Sequence, residues 1–81
     1  MKVPDYEFIL VCENTYPEML PLISKAKGIV TYVGGLLSHP AIVAREFGIP
    51  CVLNVDVEKI PENCILEIDG NKGIVRIIDK V

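Results

Sequence analysis

The sequence predicts a small α/β domain, a parallel β-α-β-α-β sheet followed by a C-terminal β-hairpin. Short runs rich in β-branched residues alternate with segments of helical character, which is typical of parallel sheets. Near the end of the chain, two further apolar runs flank the turn-forming residues 69–73. A length of 81 residues allows one thin hydrophobic core. We therefore expect residues 1–81 to form a single small domain rather than two.

Five apolar runs of strand length are predicted to form the sheet and the hairpin. Residues 6–12 are aromatic and β-branched and predict the first central strand. Residues 29–33 and 51–54 predict the second and third parallel strands, and the carboxyl ends of such strands form the ligand-binding edge of an open sheet. Residues 64–68 and 74–78 predict the two hairpin strands.

The first helix is predicted over residues 18–25. Thr15 and Glu18 have the spacing of a capping box at its start. Gly28 could supply the left-handed conformation that ends many helices before the chain turns into the next strand.

The second helix is predicted over residues 40–47. Gly48 is expected to end it, and Pro50 prevents its continuation. At about 100° per residue, five residues share an apolar arc that should face the core, and Ile42 is an exception on the polar arc. The apolar arc contains Pro40, Ala41, Val43, Ala44 and Phe47.

Composition argues against several classes of protein. The formal charge of −3 comes from 8 basic and 11 acidic residues, and the scattered basic residues form no nucleic-acid-binding stripe. No apolar run approaches the roughly 20 residues that a membrane-spanning helix needs, and the N-terminus has no signal region. Three cysteines without C-x-x-C spacing are typical of buried free thiols in a reducing compartment. We therefore expect a cytoplasmic protein that binds neither nucleic acid nor membrane.

The only histidine, His39, follows a glycine-rich turn and precedes the second helix. Unpaired N–H groups at a helix N-terminus favour negative charge and disfavour imidazolium, so His39 is expected to be an uncharged nucleophile. The N–H groups near Ala41 and Ile42 could then hydrogen-bond a phosphoryl group on His39. Gly34 and Gly35 would allow a substrate or a facing domain to approach the backbone, and would permit positive φ angles.

Ser38 and Arg45 each allow two interpretations, whereas Pro40 allows one. Ser38 could cap the helix or contact a phosphate oxygen, and capping is the favoured interpretation. Pro40 fits the first helical turn. Arg45 could contact phosphate or a partner, but it fits an ordinary solvated arginine equally well. Taken singly, a lone histidine, a glycine pair and a short helix are each typical of ordinary structural features.

Together, these residues resemble a known signature. Residues 34–50 read GGLLSHPAIVAREFGIP, and the pattern GGxxSHxAIVARExGIP is similar to that of the phosphohistidine swivelling domain of phosphoenolpyruvate-utilising enzymes, such as pyruvate phosphate dikinase and phosphoenolpyruvate synthase. Weaker similarity extends upstream and downstream and covers most of the chain. It includes residues 9–11, 21–22, 28–31 and 69–75.

The resemblance implies a function for His39. In that family the matching histidine is phosphorylated, and the domain swings between a nucleotide-binding domain and a barrel that handles phosphoenolpyruvate or pyruvate. It implies the swivelling β/β/α fold and a phosphocarrier role for His39. This chain has no nucleotide-binding loop and no carboxylate cluster for Mg²⁺. We therefore expect a phosphotransferase component that is not a complete enzyme alone, with Mg²⁺ and ATP or phosphoenolpyruvate bound by partner proteins.

The sequence also departs from the family pattern. Tyr32 stands where the family usually has Asp or Glu, and Pro40 replaces a small residue. The chain is expected to begin at the family's central strand and to lack the earlier glycine-containing segment. An open sheet edge there could pair with a second copy to give a homo-oligomer.

Two alternatives to a phosphocarrier remain open on the sequence. The substitution at Tyr32 favours a non-catalytic binding or regulatory module that retains the swivelling fold. A zinc site is the second alternative, although its ligands lack the close spacing that such sites usually show. Its ligands would be His39, Cys12, Cys51 and Cys64.

Overall fold

The computed structural model describes residues 3–35 and 37–80 and confirms the predicted fold class. Three parallel strands form one sheet, and an antiparallel hairpin forms a second. In chain order, the elements are β1 (Ile9–Cys12), α1 (Leu20–Ile23), β2 (Gly28–Thr31), α2 (His39–Phe47), β3 (Cys51–Val52), β4 (Cys64–Asp69) and β5 (Ile74–Lys80). Short 3-10 turns cover Pro17–Met19 and Val57–Lys59.

Strand β2 is the centre of the parallel sheet. It pairs with β1 on one side and with β3 on the other, and all four of its residues are buried. The register aligns Ile9 with Gly28 and Ile29 with Cys51. The prediction that the first strand is central was therefore wrong, because β1 has a partner on one side only. Its residues are correspondingly half-buried rather than buried.

One hydrophobic core joins the helical segments to the central strand. Ile23 and Ile29 are fully buried, and truncating such a side chain to alanine typically costs about 2–5 kcal/mol of stability. Half-buried Phe8, Leu10 and Ile49 pack around this core. The buried members of the cluster are Met19, Leu22, Ile23, Ile29, Val43 and Ala44.

The first helical segment differs from its prediction at both ends. Tyr16 is the N-cap residue of the 3-10 turn and makes no side-chain capping hydrogen bond, so the capping box of Thr15 and Glu18 was wrong. Helix α1 ends at Ser24 in an ordinary right-handed conformation, with φ −61°. Gly28 therefore does not cap the helix and is the first, buried residue of β2.

Helix α2 matches its prediction closely. It ends at Gly48, which adopts the left-handed conformation with φ 67°. The predicted apolar arc is buried except for Phe47, which is 43% exposed. Just beyond the helix, the Ile49 N–H donates to the Ala44 carbonyl at 3.0 Å, and the Ile49 side chain packs against the core. Ile42 is exposed, as predicted.

The hairpin of β4 and β5 packs against the parallel sheet through Ile68. A Cβ atom built on Gly28 would overlap the Cδ1 methyl of Ile68 and would contact Pro50 at 3.4 Å. The absence of a side chain at Gly28 thus lets the hairpin approach the start of β2 closely. Within the hairpin turn, the Asp69 carboxylate accepts the N–H groups of Asn71 and Lys72. In the described part of the chain, no helix has the length and apolar character needed to cross a membrane.

Gly28→Ala should destabilise the protein by about 1–3 kcal/mol, because the new methyl overpacks the contact with Ile68. Thermal or urea unfolding measures this loss. Ile68→Val removes the overlapping Cδ1 methyl and should itself cost about 0.5–1.5 kcal/mol. The double variant should lose less stability than the sum of the losses in the two single variants. Strict additivity would contradict the contact.

Candidate functional site

The site forms where the parallel strands end. The loop after β1 carries Thr15, the loop after β2 carries Gly34 and Gly35, and the loop after β3 carries Asn54. Helix α2 begins with His39 directly after the glycine turn. Ligands of open α/β sheets bind outside the carboxyl ends of the strands, which makes this edge the candidate site.

A hydrogen bond joins His39 to Thr15. The Thr15 hydroxyl oxygen lies 2.6 Å from Nδ1 of His39, across 24 residues of sequence. Thr15 is 2% exposed and His39 is half-buried. The side-chain oxygen of Asn14 accepts the Thr15 N–H at 2.8 Å and so helps to fix the loop. Thr15, which the sequence indicated only as a helix cap, is thus a partner of the histidine.

This contact distinguishes the two ring nitrogens of His39. Nδ1 is engaged by Thr15, whereas Nε2 makes no hydrogen bond with any residue that the structure describes. In a neutral imidazole one nitrogen carries the proton and the other offers a lone pair. When Nδ1–H donates to the Thr15 hydroxyl oxygen, the lone pair lies on Nε2. The geometry is therefore suited to chemistry at Nε2.

Two hydrogen bonds join the glycine turn to Ser38, the residue before α2. Gly35 has a φ of 146°, which residues with a side chain rarely adopt. Its carbonyl accepts both the N–H of Ser38, at 3.1 Å, and the Ser38 hydroxyl, at 2.8 Å. Ser38 is the N-cap residue of α2, but its side chain makes no capping hydrogen bond. The favoured capping role of Ser38 was wrong because its hydroxyl bonds locally to the backbone of the turn.

The start of α2 offers unpaired backbone donors. The Ile42 N–H donates to the Ser38 carbonyl at 3.0 Å, so it is not available to a ligand as the sequence suggested. The N–H groups of His39 and Ala41 have no acceptor among the described residues. Pro40 is fully buried in the first turn, as expected, and contributes no N–H. Two donors thus remain beside the histidine.

Gly34 is required for a different reason from Gly35. A Cβ atom on Gly34 would overlap the side-chain amide of Asn54, while a Cβ on Gly35 would meet nothing within 4 Å. Asn54 itself has a left-handed backbone, with φ 61°. Neither the contact of Asn54 with Gly34 nor that of Thr15 with His39 was predicted from the sequence. Their signal was their position, since Thr15 follows the first predicted strand, Asn54 is the last residue of the third, and the carboxyl ends of parallel strands converge.

Two residues that the sequence singled out, Arg45 and Tyr32, line surface recesses to which His39 does not contribute. Arg45 is exposed and lies about 9 Å further along the axis of α2, beside a cleft lined in part by Leu53 and Asn71. Tyr32 is 61% exposed and lines a second, separate recess. Glu13, Asn54 and Asp56 line the same recess. Neither side chain is part of the hydrogen-bond set around the histidine ring.

The cysteines do not assemble a metal site with His39. Cys12, Cys51 and Cys64 belong to three different strands, β1, β3 and β4. Across residues 3–35 and 37–80, no group of three or more histidine, cysteine or acidic side chains could hold a metal ion. The zinc alternative therefore has no ligand set in the described part of the chain.

Comparison with known sequences establishes the family. The sequence model described as "PEP-utilising enzyme, mobile domain" matches residues 4–73. That match spans the parallel sheet, α2 with His39, and the hairpin up to its turn. The chain belongs to the family of PEP-utilising enzyme mobile domains.

Its relatives are much longer proteins. The chain is 48% identical over 69 residues to a "Probable phosphoenolpyruvate synthase" of Methanothermobacter thermautotrophicus, covering 83% of this chain and 10% of the relative. It is 44% identical to the phosphoenolpyruvate synthase of Pyrococcus furiosus, covering 83% and 8%. It is 39% identical to the rifampicin phosphotransferase of Bacillus subtilis, covering 85% and 8%. The chain thus spans about a tenth or less of these relatives.

Two of the cysteines should react slowly in the folded protein. Burial raises the pKa of Cys12, with a further contribution from the charge of Cys51, and burial raises the pKa of Cys51. Because the thiolate is the reactive form, alkylation of both by iodoacetamide should require a higher pH in the native protein than in urea. Mass spectrometry of quenched samples measures this. Equal rates in both states at pH 8 would contradict the burial.

Proposed function

We propose that His39 is a phosphocarrier that accepts a phosphoryl group on Nε2 and later donates it. The observation that carries the proposal is the 2.6 Å contact between Nδ1 of His39 and the buried Thr15 hydroxyl. A histidine bound in this way has one defined nitrogen left for reaction. Membership of the mobile-domain family, with relatives named as phosphoenolpyruvate synthases and a phosphotransferase, supports the same chemistry.

The transfer needs no proton movement at the histidine before attack. With Nδ1–H donating to Thr15, the Nε2 lone pair attacks phosphorus and a P–N bond forms. The P–O bond to the leaving group breaks, and its electron pair stays on the leaving oxygen. The phosphorylated ring still carries its Nδ1 proton, so the hydrogen bond to Thr15 can persist. Thr15 therefore serves the histidine in both states.

The start of α2 can stabilise the transferred group. The N–H groups of His39 and Ala41, which have no acceptor among the described residues, lie at the positive end of a nine-residue helix, where anions bind favourably. A Cβ atom on Gly35 would meet nothing within 4 Å, so the turn is open to an approaching donor there, whereas the Asn54 amide occupies the space beside Gly34. Contacts of Ser38 and Arg45 with phosphate or a partner are part of the proposal as well.

The remaining machinery would lie outside this chain. Phosphoryl transfer requires metal ions and cationic groups around the donor phosphates. We propose that Mg²⁺ and ATP or phosphoenolpyruvate are bound by nucleotide-binding and phosphoenolpyruvate- or pyruvate-binding partners, whether separate proteins or other domains. The length of the relatives, roughly ten times the matched segment, supports this division of labour.

Incubation with ³²P-labelled phosphoenolpyruvate and a phosphoenolpyruvate synthase that lacks its own phosphoryl-accepting histidine tests the proposal. The wild-type chain should acquire label that is lost in acid and retained in base, as expected for a phosphoramidate. His39→Gln should acquire none, because no other histidine exists in the sequence. Circular dichroism should show that the variant remains folded.

Absence of label on the wild-type chain with every donor of the family would overturn the phosphocarrier proposal. That result would favour the alternative of a non-catalytic module, which Tyr32 suggested. Partner binding then separates the two further, since a pure binding module should tolerate His39→Gln with unchanged affinity.

Thr15→Val should slow phosphorylation by about tenfold or more, because it removes the oxygen that orients the ring and selects the Nδ1–H tautomer. Thr15→Ser keeps the hydroxyl and should retain most of the wild-type rate. Rapid-quench measurement of labelling, at fixed donor concentration, compares the three proteins. Equal slowing by valine and serine would indicate a loss of packing and would contradict the hydrogen-bond role.

A further inference from the structure

We propose that Asn54 is a positioning residue for His39, acting through the Gly34 turn. The inference rests on the proposed phosphocarrier function for its kinetic consequence, but its structural part stands independently. Asn54 makes no hydrogen bond with the ring of His39. Its side chain instead packs against the backbone of Gly34, in the turn that precedes His39.

The location of Asn54 is fixed by its own backbone. It follows β3, and its left-handed conformation, with φ 61°, is one that asparagine tolerates better than most residues. The next residue, Val55, donates its N–H to the carbonyl of Thr31 at 3.0 Å. The loop is therefore tied to the end of the buried central strand. The Asn54 amide is presented from a rigid base.

The amide packs directly against Gly34. A Cβ on Gly34 would overlap the Oδ1, Cγ and Nδ2 atoms of Asn54, so the amide occupies the space beside the Gly34 Cα atom. The Asn54 side chain has no hydrogen-bond partner among the described residues. Its contact with Gly34 is therefore a packing contact. It limits how far the glycine turn can move toward β3.

From Gly34 the constraint reaches His39 through consecutive backbone contacts. The adjacent Gly35 carbonyl accepts two hydrogen bonds from Ser38, one from its N–H and one from its hydroxyl. The Ser38 carbonyl accepts the N–H of Ile42, which closes the first turn of α2 around His39. Displacement of Gly34 therefore displaces the start of the helix.

His39 is consequently held from two sides of the sheet edge. Thr15, after the edge strand β1, fixes the ring through Nδ1. Asn54, after the opposite edge strand β3, supports the backbone of the turn that precedes the ring. A hydrogen bond of 2.6 Å tolerates little displacement of either partner. Loss of the contact between Asn54 and Gly34 should therefore weaken the hydrogen bond between Thr15 and His39.

Asn54→Gly tests the inference, since glycine adopts the left-handed backbone without strain and removes only the amide. Asn63→Gly is the matched control, because Asn63 is also exposed and left-handed, with φ 54°, and lies in the loop before β4. Two readouts apply to each protein: the ¹⁵N NMR signals of the His39 ring without phosphate, and the rate of phosphorylation.

Asn54→Gly should shift the Nδ1 resonance, speed exchange of the Nδ1 proton and slow phosphorylation by about tenfold. Asn63→Gly should leave both readouts at wild-type values. Unchanged ring signals in Asn54→Gly would overturn the positioning role, even if the wild-type chain is phosphorylated. Failure of the wild-type chain to accept phosphate would overturn the proposed function, while the NMR comparison would still decide the role of Asn54.

A rescue experiment tests the contact itself. Gly34→Ala should disturb the ring signals strongly, because its methyl collides with the Asn54 amide. Combining Gly34→Ala with Asn54→Gly removes the collision and should restore the signals toward those of Asn54→Gly alone. A double variant as disturbed as Gly34→Ala would contradict the proposed contact.

Discussion

The hydrogen bond between Thr15 and His39 is the interaction on which the candidate site depends. It joins the loop after β1 to the first residue of α2, and it leaves Nε2 as the ring nitrogen without a partner in the described chain. A buried hydroxyl is well suited to this task, because it stays neutral and can accept a hydrogen bond from Nδ1–H throughout the proposed transfer cycle. When the hydroxyl accepts from Nδ1–H, the lone pair of the neutral ring lies on Nε2.

A small parallel sheet is enough to build such a site. Because parallel strands end at the same edge, three short loops bring Thr15, the glycine turn and Asn54 together without a large scaffold. The buried strand β2 gives the edge its rigidity, since both neighbouring strands pair with it. The N–H groups of His39 and Ala41, which have no acceptor in the described part of the chain, lie at the same edge. The Thr15 hydrogen bond, the Asn54 packing contact and the N-terminus of α2 thus all lie at one edge of the sheet.

Local sequence signals predicted the local parts of this structure. The strand runs, the hairpin and the end of α2 at Gly48 follow from periodicity and turn chemistry, which depend on neighbouring residues. The contacts of Thr15, Asn54 and Gly28 were missed because each joins segments distant in sequence. Thr15 looked like a helix cap, and Gly28 looked like a helix end. Phe47, which was expected to be buried, is exposed, whereas Ile49 beyond the helix packs against the core.

The nitrogen that carries phosphate is the most direct test of this interpretation. Phosphorylation of ¹⁵N-labelled protein, followed by NMR of the His39 ring and of phosphorus, identifies the nitrogen bonded to phosphorus. A phosphoryl group on Nε2, with the Nδ1 proton retained and protected from exchange by Thr15, is the predicted result. A phosphoryl group on Nδ1 would contradict it, because that atom is the one the structure assigns to Thr15.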